Sequence, residues 1–213
     1  MKRRVISAAL ALCMMLTLLS GTALAAGQHP FTDVPQSHWA NEAVGYVYEN
    51  DLMNGVSATM FQPGGSLTRA MFVTILGRMA GAEEESGESG FADVPAGRWY
   101  SAYVAWAAGE GIVDGTGNGY FSPNSPVTRE QMATMMYRYA QYKKQDVSQR
   151  ADIGRFADVS QISGFSLEAM QWAVGSSIIR GKGDGSLLDP QGRTSRAESA
   201  VILYRFRMRE LQD

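Results

Sequence analysis

The sequence has few of the side chains on which most catalytic and metal sites depend. Its 213 residues include one cysteine and two histidines, which excludes a disulfide framework and leaves almost nothing for a zinc site. Nucleophile–histidine chemistry would have to use His29 or His38, and neither belongs to a repeated pattern of acids and nucleophiles. No phosphate-binding loop or Gly-x-Ser-x-Gly motif follows the first 25 residues. The sequence therefore predicts no catalytic residue, no metal site and no cofactor.

The chain also lacks an excess of positive charge. It has 19 basic and 21 acidic residues, a formal net charge of -2. A protein that holds nucleic acid by its phosphates needs clustered Lys and Arg. We therefore expect no nucleic-acid partner.

The first 25 residues have the three parts of a secretory signal peptide. A basic start at residues 2–4 precedes an apolar run at residues 5–19, and small residues stand at Ala23 and Ala25. A membrane anchor is the alternative, but the run is short of the ~20 residues a span requires. Removal of residues 1–25 leaves 16 basic and 21 acidic residues, a net charge of -5, and no cysteine. We expect a secreted chain without a membrane segment after cleavage.

The rest of the chain is one unit written three times. Phe-x-Asp-Val begins at Phe31, Phe91 and Phe156, at offsets of 60 and 65 residues. In each copy an aromatic residue precedes a glycine by 16 positions: Trp39 and Gly55, Trp99 and Gly115, Phe165 and Gly181. An arginine follows the Phe-x-Pro motif, or its Leu-x-Pro version in the third copy: Arg69, Arg129 and Arg196. Matched features in a fixed order indicate repeats.

The repeats and their connections follow from these motifs. Repeats at 26–81, 91–140 and 156–213 are joined by polar segments at 82–90 and 141–155, which we expect to be exposed. The third copy diverges most, and terminal repeats are often atypical because one face has no neighbour.

Two amphipathic helices are predicted in each repeat, so the fold should be all-α. Apolar residues recur at helical spacing after Trp39, Trp99 and Phe165 and again after each repeated arginine. Thr68, Thr128 and Ser195 stand at N-cap positions. Gln131 and Glu198 complete capping boxes, which Met71 cannot do in the first copy.

The arginine directly after each N-cap allows two interpretations. A cation is mildly unfavourable at a helix N-terminus, so its repetition indicates an offsetting interaction. Free backbone N–H groups and a guanidinium suit a bound carboxylate or phosphate. A structural ion pair to Asp33, Asp93 or Asp158 suits the arginine equally well. For Trp39 and Trp99, core packing is favoured over an exposed ring that stacks on a sugar.

Four motifs together resemble the S-layer homology domain, over nearly all of the chain after residue 25. They are Phe-x-Asp-Val, the aromatic residue 16 positions before a glycine, Phe-x-Pro, and the arginine that follows the N-cap. The resemblance implies a pseudo-threefold helical bundle with grooves between the repeats. It also implies that these grooves bind secondary cell-wall polysaccharide, which in the family often carries pyruvate ketals. On this basis the polysaccharide-binding residues are Arg69, Arg129, Arg196, Trp39, Trp99, Gly55, Gly115 and Gly181. Phe165, Leu188 and Ser195 depart from the family pattern and put the groove of the third copy in doubt.

The leading hypothesis is a non-enzymatic module that anchors a secreted protein to the bacterial cell wall through an anionic glycan. Surface-layer proteins or a cargo protein are further expected partners, at the cell wall or S-layer. One alternative is a structural subunit that assembles through protein–protein contacts. A cell-wall glycan hydrolase is the other, although the repeated acids offer no distinct acid and nucleophile pair.

Overall fold

The computed structural model describes residues 28–82 and 88–211. The predicted signal peptide at residues 1–25 and most of the predicted connection at 82–90 lie outside this part of the chain. No helix in the described ranges is long and apolar enough to cross a membrane.

Six α-helices, two in each repeat, confirm the predicted all-α fold. They are α1 Asn41–Glu49, α2 Arg69–Ala80, α3 Ser101–Gly109, α4 Arg129–Tyr142, α5 Leu167–Gly175 and α6 Arg196–Glu210. Two short 3₁₀ helices, Val159–Gln161 and Gly164–Ser166, precede α5. Among the described residues, β-type pairing is limited to isolated bridges between loops.

The predicted N-caps are all present. The side chain of Thr68 accepts a hydrogen bond from the backbone N–H of Met71 at 3.2 Å. Thr128 and Ser195 form full capping boxes with Gln131 and Glu198. The local sequence therefore fixes where the second helix of each repeat begins.

Helices pack between repeats. Helix α2 packs against α3, α4 against α5, and α6 against α1. At this last junction the rings of Tyr46 and Tyr204 lie 5.2 Å apart, and the Tyr204 hydroxyl donates to Glu42 at 2.7 Å. The three repeats thus close into a ring. The expectation that the terminal repeat lacks a neighbour on one face is wrong, because the first repeat covers that face.

A cycle of backbone hydrogen bonds marks the centre of the ring. The N–H of Leu67 donates to the carbonyl of Thr194 at 3.2 Å, Val127 to Leu67 at 2.9 Å, and Thr194 to Val127 at 3.1 Å. All three residues are buried, and each stands two positions before a repeated arginine. This cycle confirms the pseudo-threefold arrangement and brings the three helix starts together.

The connection at 141–155 is more structured than its polar composition predicts. Helix α4 continues to Tyr142, and the Ile153 side chain is buried. The Ala151 N–H donates to the Gln171 carbonyl at 3.0 Å, which ties the segment to α5. Most residues of the segment are exposed, as expected, while Ile153 and the partly buried Val147 and Ala151 pack against the core.

Candidate functional site

Each repeated arginine extends from the first turn of its helix into the loop of the next repeat. All three side chains are buried. The Nε atoms of Arg69, Arg129 and Arg196 donate to the carbonyls of Phe121, Leu188 and Phe61 at 2.8, 2.7 and 2.8 Å. Their Nη2 atoms donate to the carbonyls of Asp114, Arg180 and Asn54 at 3.1, 2.9 and 2.5 Å. Each arginine therefore joins two repeats through backbone acceptors.

The backbone N–H groups at these helix starts are not free. In α2, the N–H of Arg69 donates to the Ser125 carbonyl at 2.9 Å and that of Ala70 to the Pro123 carbonyl at 3.0 Å. The equivalent groups of α4 and α6 donate to the loops of the third and first repeats. The expected anion site on free helix N–H groups is therefore wrong. What each helix start offers a ligand is its guanidinium.

The alternative of a direct arginine–aspartate pair is also wrong. The Asp33 carboxylate accepts the N–H groups of Phe61 and Gln62 at 2.8 and 2.7 Å, and Asp93 and Asp158 bind the equivalent loop residues. Gln62 has a φ of 60°, so the carboxylate holds a residue in the left-handed conformation that a side chain disfavours. The aspartates therefore satisfy backbone donors in a loop about 30 residues further on.

Burial makes the repeated arginines electrostatically demanding. Loss of hydration lowers the pKa of Arg69 to about 10, against a smaller opposing effect of Asp93. Burial likewise lowers the pKa of Arg129 and Arg196. All three remain charged at neutral pH, with carbonyl oxygens as their direct partners. A buried cation without an acid in contact favours the approach of an anion.

Aromatic rings support two of the three guanidiniums. Arg69 lies 4.6 Å from the ring centroid of Phe121, and Arg196 lies 4.5 Å from that of Phe61. Leu188 holds the equivalent place beside Arg129. The divergence at Leu188 thus affects the arginine of the second repeat, because each arginine packs into the following repeat.

Three equivalent grooves result, each named here after its repeated arginine. The Arg69 groove, of about 440 Å³, is also lined by Asp114, Gly115, Arg138 and Phe165. The Arg129 groove, of about 190 Å³, is also lined by Trp39, Arg180, Gly181, Lys182, Glu198 and Arg205. The Arg196 groove, of about 180 Å³, is also lined by Asn54, Arg78 and Trp99. Each groove takes its arginine from one repeat, its loop and second helix from the next, and its aromatic ring from the remaining one.

The three ring-bearing residues that precede the first helices are exposed. Trp39, Trp99 and Phe165 have 64%, 58% and 60% of their surface accessible. The favoured interpretation of Trp39 and Trp99 as core residues is wrong. Helices α1 and α3 begin two residues after these rings, so the rings leave the buried face that helical periodicity assigns them. Each flat apolar face is available to a ligand in the groove.

The loop glycines are required by close backbone approach. A Cβ on Gly115 would lie 2.5 Å from the Tyr120 carbonyl oxygen and 3.0 Å from a ring atom of Phe91. On Gly181 it would lie 2.4 Å from the Gly185 carbonyl oxygen. A Cβ on Gly55 would meet the Phe31 ring and the Met60 carbonyl oxygen. The fold alone therefore requires glycine at these three positions. That the three glycines also contact a ligand remains a prediction.

A second set of three arginines lines the grooves and was not predicted from the sequence. Arg78, Arg138 and Arg205 each stand nine residues after a repeated arginine. Arg138 lines the Arg69 groove, Arg205 the Arg129 groove and Arg78 the Arg196 groove. The repeated spacing was the signal that could have found them. Arg138 pairs with Asp114 at 2.6 Å, and Arg78 lies 3.5 Å from the Asp51 carbonyl. Arg205 has no hydrogen bond or ion pair within the described part of the chain.

Among residues 28–82 and 88–211, no cluster of three or more His, Cys, Asp or Glu side chains could hold a metal ion.

Comparison with known proteins places these motifs in a family. Residues 30–71, 90–133 and 155–200 each match the S-layer homology domain. An endoglucanase of Bacillus sp. (strain KSM-635) is 35% identical over 174 residues, which are 82% of this chain and 18% of the endoglucanase. The S-layer protein sap of Bacillus anthracis is 30% identical over 202 residues, which are 94% of this chain and 24% of that protein. The chain thus spans less than a quarter of the length of either relative.

Proposed function

Because the chain belongs to the family of proteins with S-layer homology domains, we propose that it anchors a protein non-covalently to the bacterial cell wall. The family and its surface-protein relatives indicate the cell surface as its location. An anchor of this kind must bind a polymer of the wall.

One observation carries the proposal. Each of the three grooves combines two features: a buried guanidinium whose hydrogen-bond acceptors are backbone carbonyls, and an exposed phenyl or indole ring. A guanidinium recognises a carboxylate or phosphate group, and a flat ring stacks on the apolar face of a sugar. The combination suits an acidic polysaccharide, and repetition over three grooves adds avidity to weak single sites.

The ligand we propose is an anionic secondary cell-wall polysaccharide, including one that bears pyruvate ketals. Arg69, Arg129 and Arg196 would bind its acidic groups, and Trp39 and Trp99 would stack on its sugars. Gly55, Gly115 and Gly181 would shape the loops past which the chain of sugars runs. Surface-layer proteins or a cargo protein are the further partners we propose.

We propose that the chain has no enzymatic activity of its own. A glycoside hydrolase needs two carboxyl groups that flank the scissile bond. In the described structure, Asp114 is the one acid that lines the Arg69 groove, and Glu198 the one that lines the Arg129 groove. No acid lines the Arg196 groove.

The test is co-sedimentation of the chain with purified wall sacculi, before and after chemical removal of the accessory polysaccharide. We expect binding to the intact sacculi and its loss after stripping. Trp99→Ala should weaken binding, whereas Tyr120→Ala, an exposed aromatic residue that lines none of the three grooves, should not. Undiminished binding to stripped peptidoglycan would refute the polysaccharide as ligand.

A structural subunit that assembles through protein contacts is the second candidate. The observation that favours it is a set of apolar side chains at equivalent loop positions, Met60, Tyr120 and Leu187, which are 42%, 49% and 41% exposed. A molecular mass that rises with protein concentration in the absence of polysaccharide would support it. A constant monomeric mass would leave the anchoring role as the better account.

A further inference from the structure

The three grooves share a backbone frame but differ in charge at equivalent positions. The carbonyl that accepts Nη2 of the repeated arginine belongs to Asn54, Asp114 or Arg180. The same backbone role therefore places a neutral, an acidic or a basic side chain at the rim of the groove.

In the Arg69 groove the charges compensate each other. Asp114 pairs with Arg138 at 2.6 Å, so the second cation of this groove is already occupied. Arg69 is left as the one cation without an acid partner.

In the Arg129 groove the cations exceed the acids. Arg129, Arg180 and Arg205 form no ion pair within the described chain. Lys182 lies between Asp189 and Glu198, at 2.8 and 2.9 Å, and offsets one of these two acids. Asp158 also acts on Arg129, as Asp93 does on Arg69 and Asp33 on Arg196, so this aspartate is common to all three grooves. Apart from it, three arginines, of which Arg180 is exposed, face one remaining negative charge.

Arg205 shows the imbalance most clearly. Its side chain is half-buried, and burial together with the neighbouring guanidiniums of Arg180 and Arg129 lowers the pKa of Arg205. Like charges that are held together in a partly dehydrated groove repel each other unless an anion lies among them. Arg180 of the same groove and the equivalent Arg78 of the Arg196 groove are exposed to solvent, so water screens part of their charge.

We infer that the Arg129 groove binds anions more strongly than the Arg69 groove and is built for a group with two negative charges, such as a phosphate monoester on the wall polymer. The inference rests on the proposed anchoring function for the nature of that polymer. The Arg69 groove should be the weaker of the two and suit a single carboxylate.

The experiment is an NMR titration of the full chain at constant ionic strength with sulfate and with methyl sulfate. The two ions share their sulfur–oxygen chemistry but carry two charges and one. The amide signals of Gly181 and Gly115 report on the Arg129 and Arg69 grooves separately, because each glycine lines its groove. We expect sulfate to shift Gly181 at concentrations about five- to tenfold lower than Gly115, and methyl sulfate to bind the Arg129 groove several-fold more weakly than sulfate.

Two matched variants test the residue assignment. Arg205→Gln should weaken sulfate binding at Gly181 by about five- to tenfold. Arg138→Gln, at the equivalent position, should leave the Gly181 titration unchanged. Retained amide spectra away from the grooves establish that both variants are folded.

Equal titrations at the two glycines, equal binding of the two ions at Gly181, or an unchanged titration in Arg205→Gln would each overturn the inference. Sedimentation of the same samples with wall sacculi keeps this result separate from the proposed function. If sacculi are bound while the sulfate titrations fail, the anchoring role stands and the charge preference falls.

Discussion

The Arg69 and Arg129 grooves are built on the same backbone contacts but carry side chains of opposite charge at one equivalent position. In both, a repeated arginine bonds two carbonyls of the following repeat. Beside these carbonyls stand Asp114 in one groove and Arg180 in the other. Arg138 is neutralised by Asp114, whereas the equivalent Arg205 meets other cations.

The difference separates the residues that hold the ring together from those that select a ligand. The repeated arginines bond to main-chain acceptors of the next repeat, so the side chains of Asn54, Asp114 and Arg180 can differ while these contacts stay the same. Three copies of one unit can therefore offer three chemically distinct grooves.

The largest effect expected in both grooves comes from their loop glycines. Gly115→Ala and Gly181→Ala should each lower the free energy of unfolding by about 3 kcal/mol or more, because the new Cβ would lie within about 2.5 Å of a backbone carbonyl. Urea unfolding followed by circular dichroism measures the change.

Gly64→Ala is the control for these two variants, because its Cβ would meet nothing within 4 Å. Its stability should change by less than about 1 kcal/mol. If Gly115→Ala or Gly181→Ala kept full stability and lost wall binding alone, the glycine would be a ligand contact and the steric argument would be wrong.

The repeated arginines should give the next largest effect and should differ between the grooves. Arg69→Ala leaves the Phe121 and Asp114 carbonyls without their donors and removes the contact with the Phe121 ring. We expect a loss of about 2–4 kcal/mol in the free energy of unfolding. Arg129→Ala should cost about 1 kcal/mol less, because Leu188 provides no ring.

Thermal and urea unfolding of the two variants side by side measure this difference. Arg78→Ala, an exposed arginine with one long contact to a carbonyl, is the control and should change stability by less than about 1 kcal/mol. A wild-type stability in Arg69→Ala would show that the carbonyl contacts contribute nothing to the association of the repeats.

The smallest effect on stability, and the sharpest test of the charge difference, comes from Asp114→Asn. The Asp114 side chain is 74% exposed, so loss of its pair with Arg138 should cost less than about 1 kcal/mol. The freed Arg138 should raise the affinity of the Arg69 groove for sulfate about two- to fivefold. The Gly115 amide titration measures it, and Asp184→Asn, far from this pair in sequence and outside the lining of the groove, is the control. An unchanged affinity would contradict the idea that Asp114 weakens this groove.

Local patterns in the sequence were sufficient for the helices and their starts. Thr68, Thr128 and Ser195 were predicted as caps from their own neighbours, and a cap is a contact within one turn of chain. Periodicity also gave most of the buried positions, such as Val47, since one face of a helix must be covered.

The same patterns failed where a residue's surroundings come from another repeat. Trp39 stands at the correct spacing for the buried face of α1, but it precedes the helix and lines a groove whose arginine belongs to the second repeat. For Arg69 the sequence left two partners open, a bound anion and an aspartate, because its acceptors in the structure lie 45 and 52 residues away in the chain. Helical periodicity carries no information on such distances.

The sequence by itself determined that three similar units of two helices each would form one all-α domain with little catalytic equipment, since repeats, caps and composition are properties of nearby residues. Only the tertiary structure decided that α6 packs on α1 to close the ring and that every groove is assembled from all three repeats. The reason is physical: the helices of one repeat bury their apolar faces against the helices of its neighbours. The charge that a ligand meets is therefore set by residues that are far apart in the sequence.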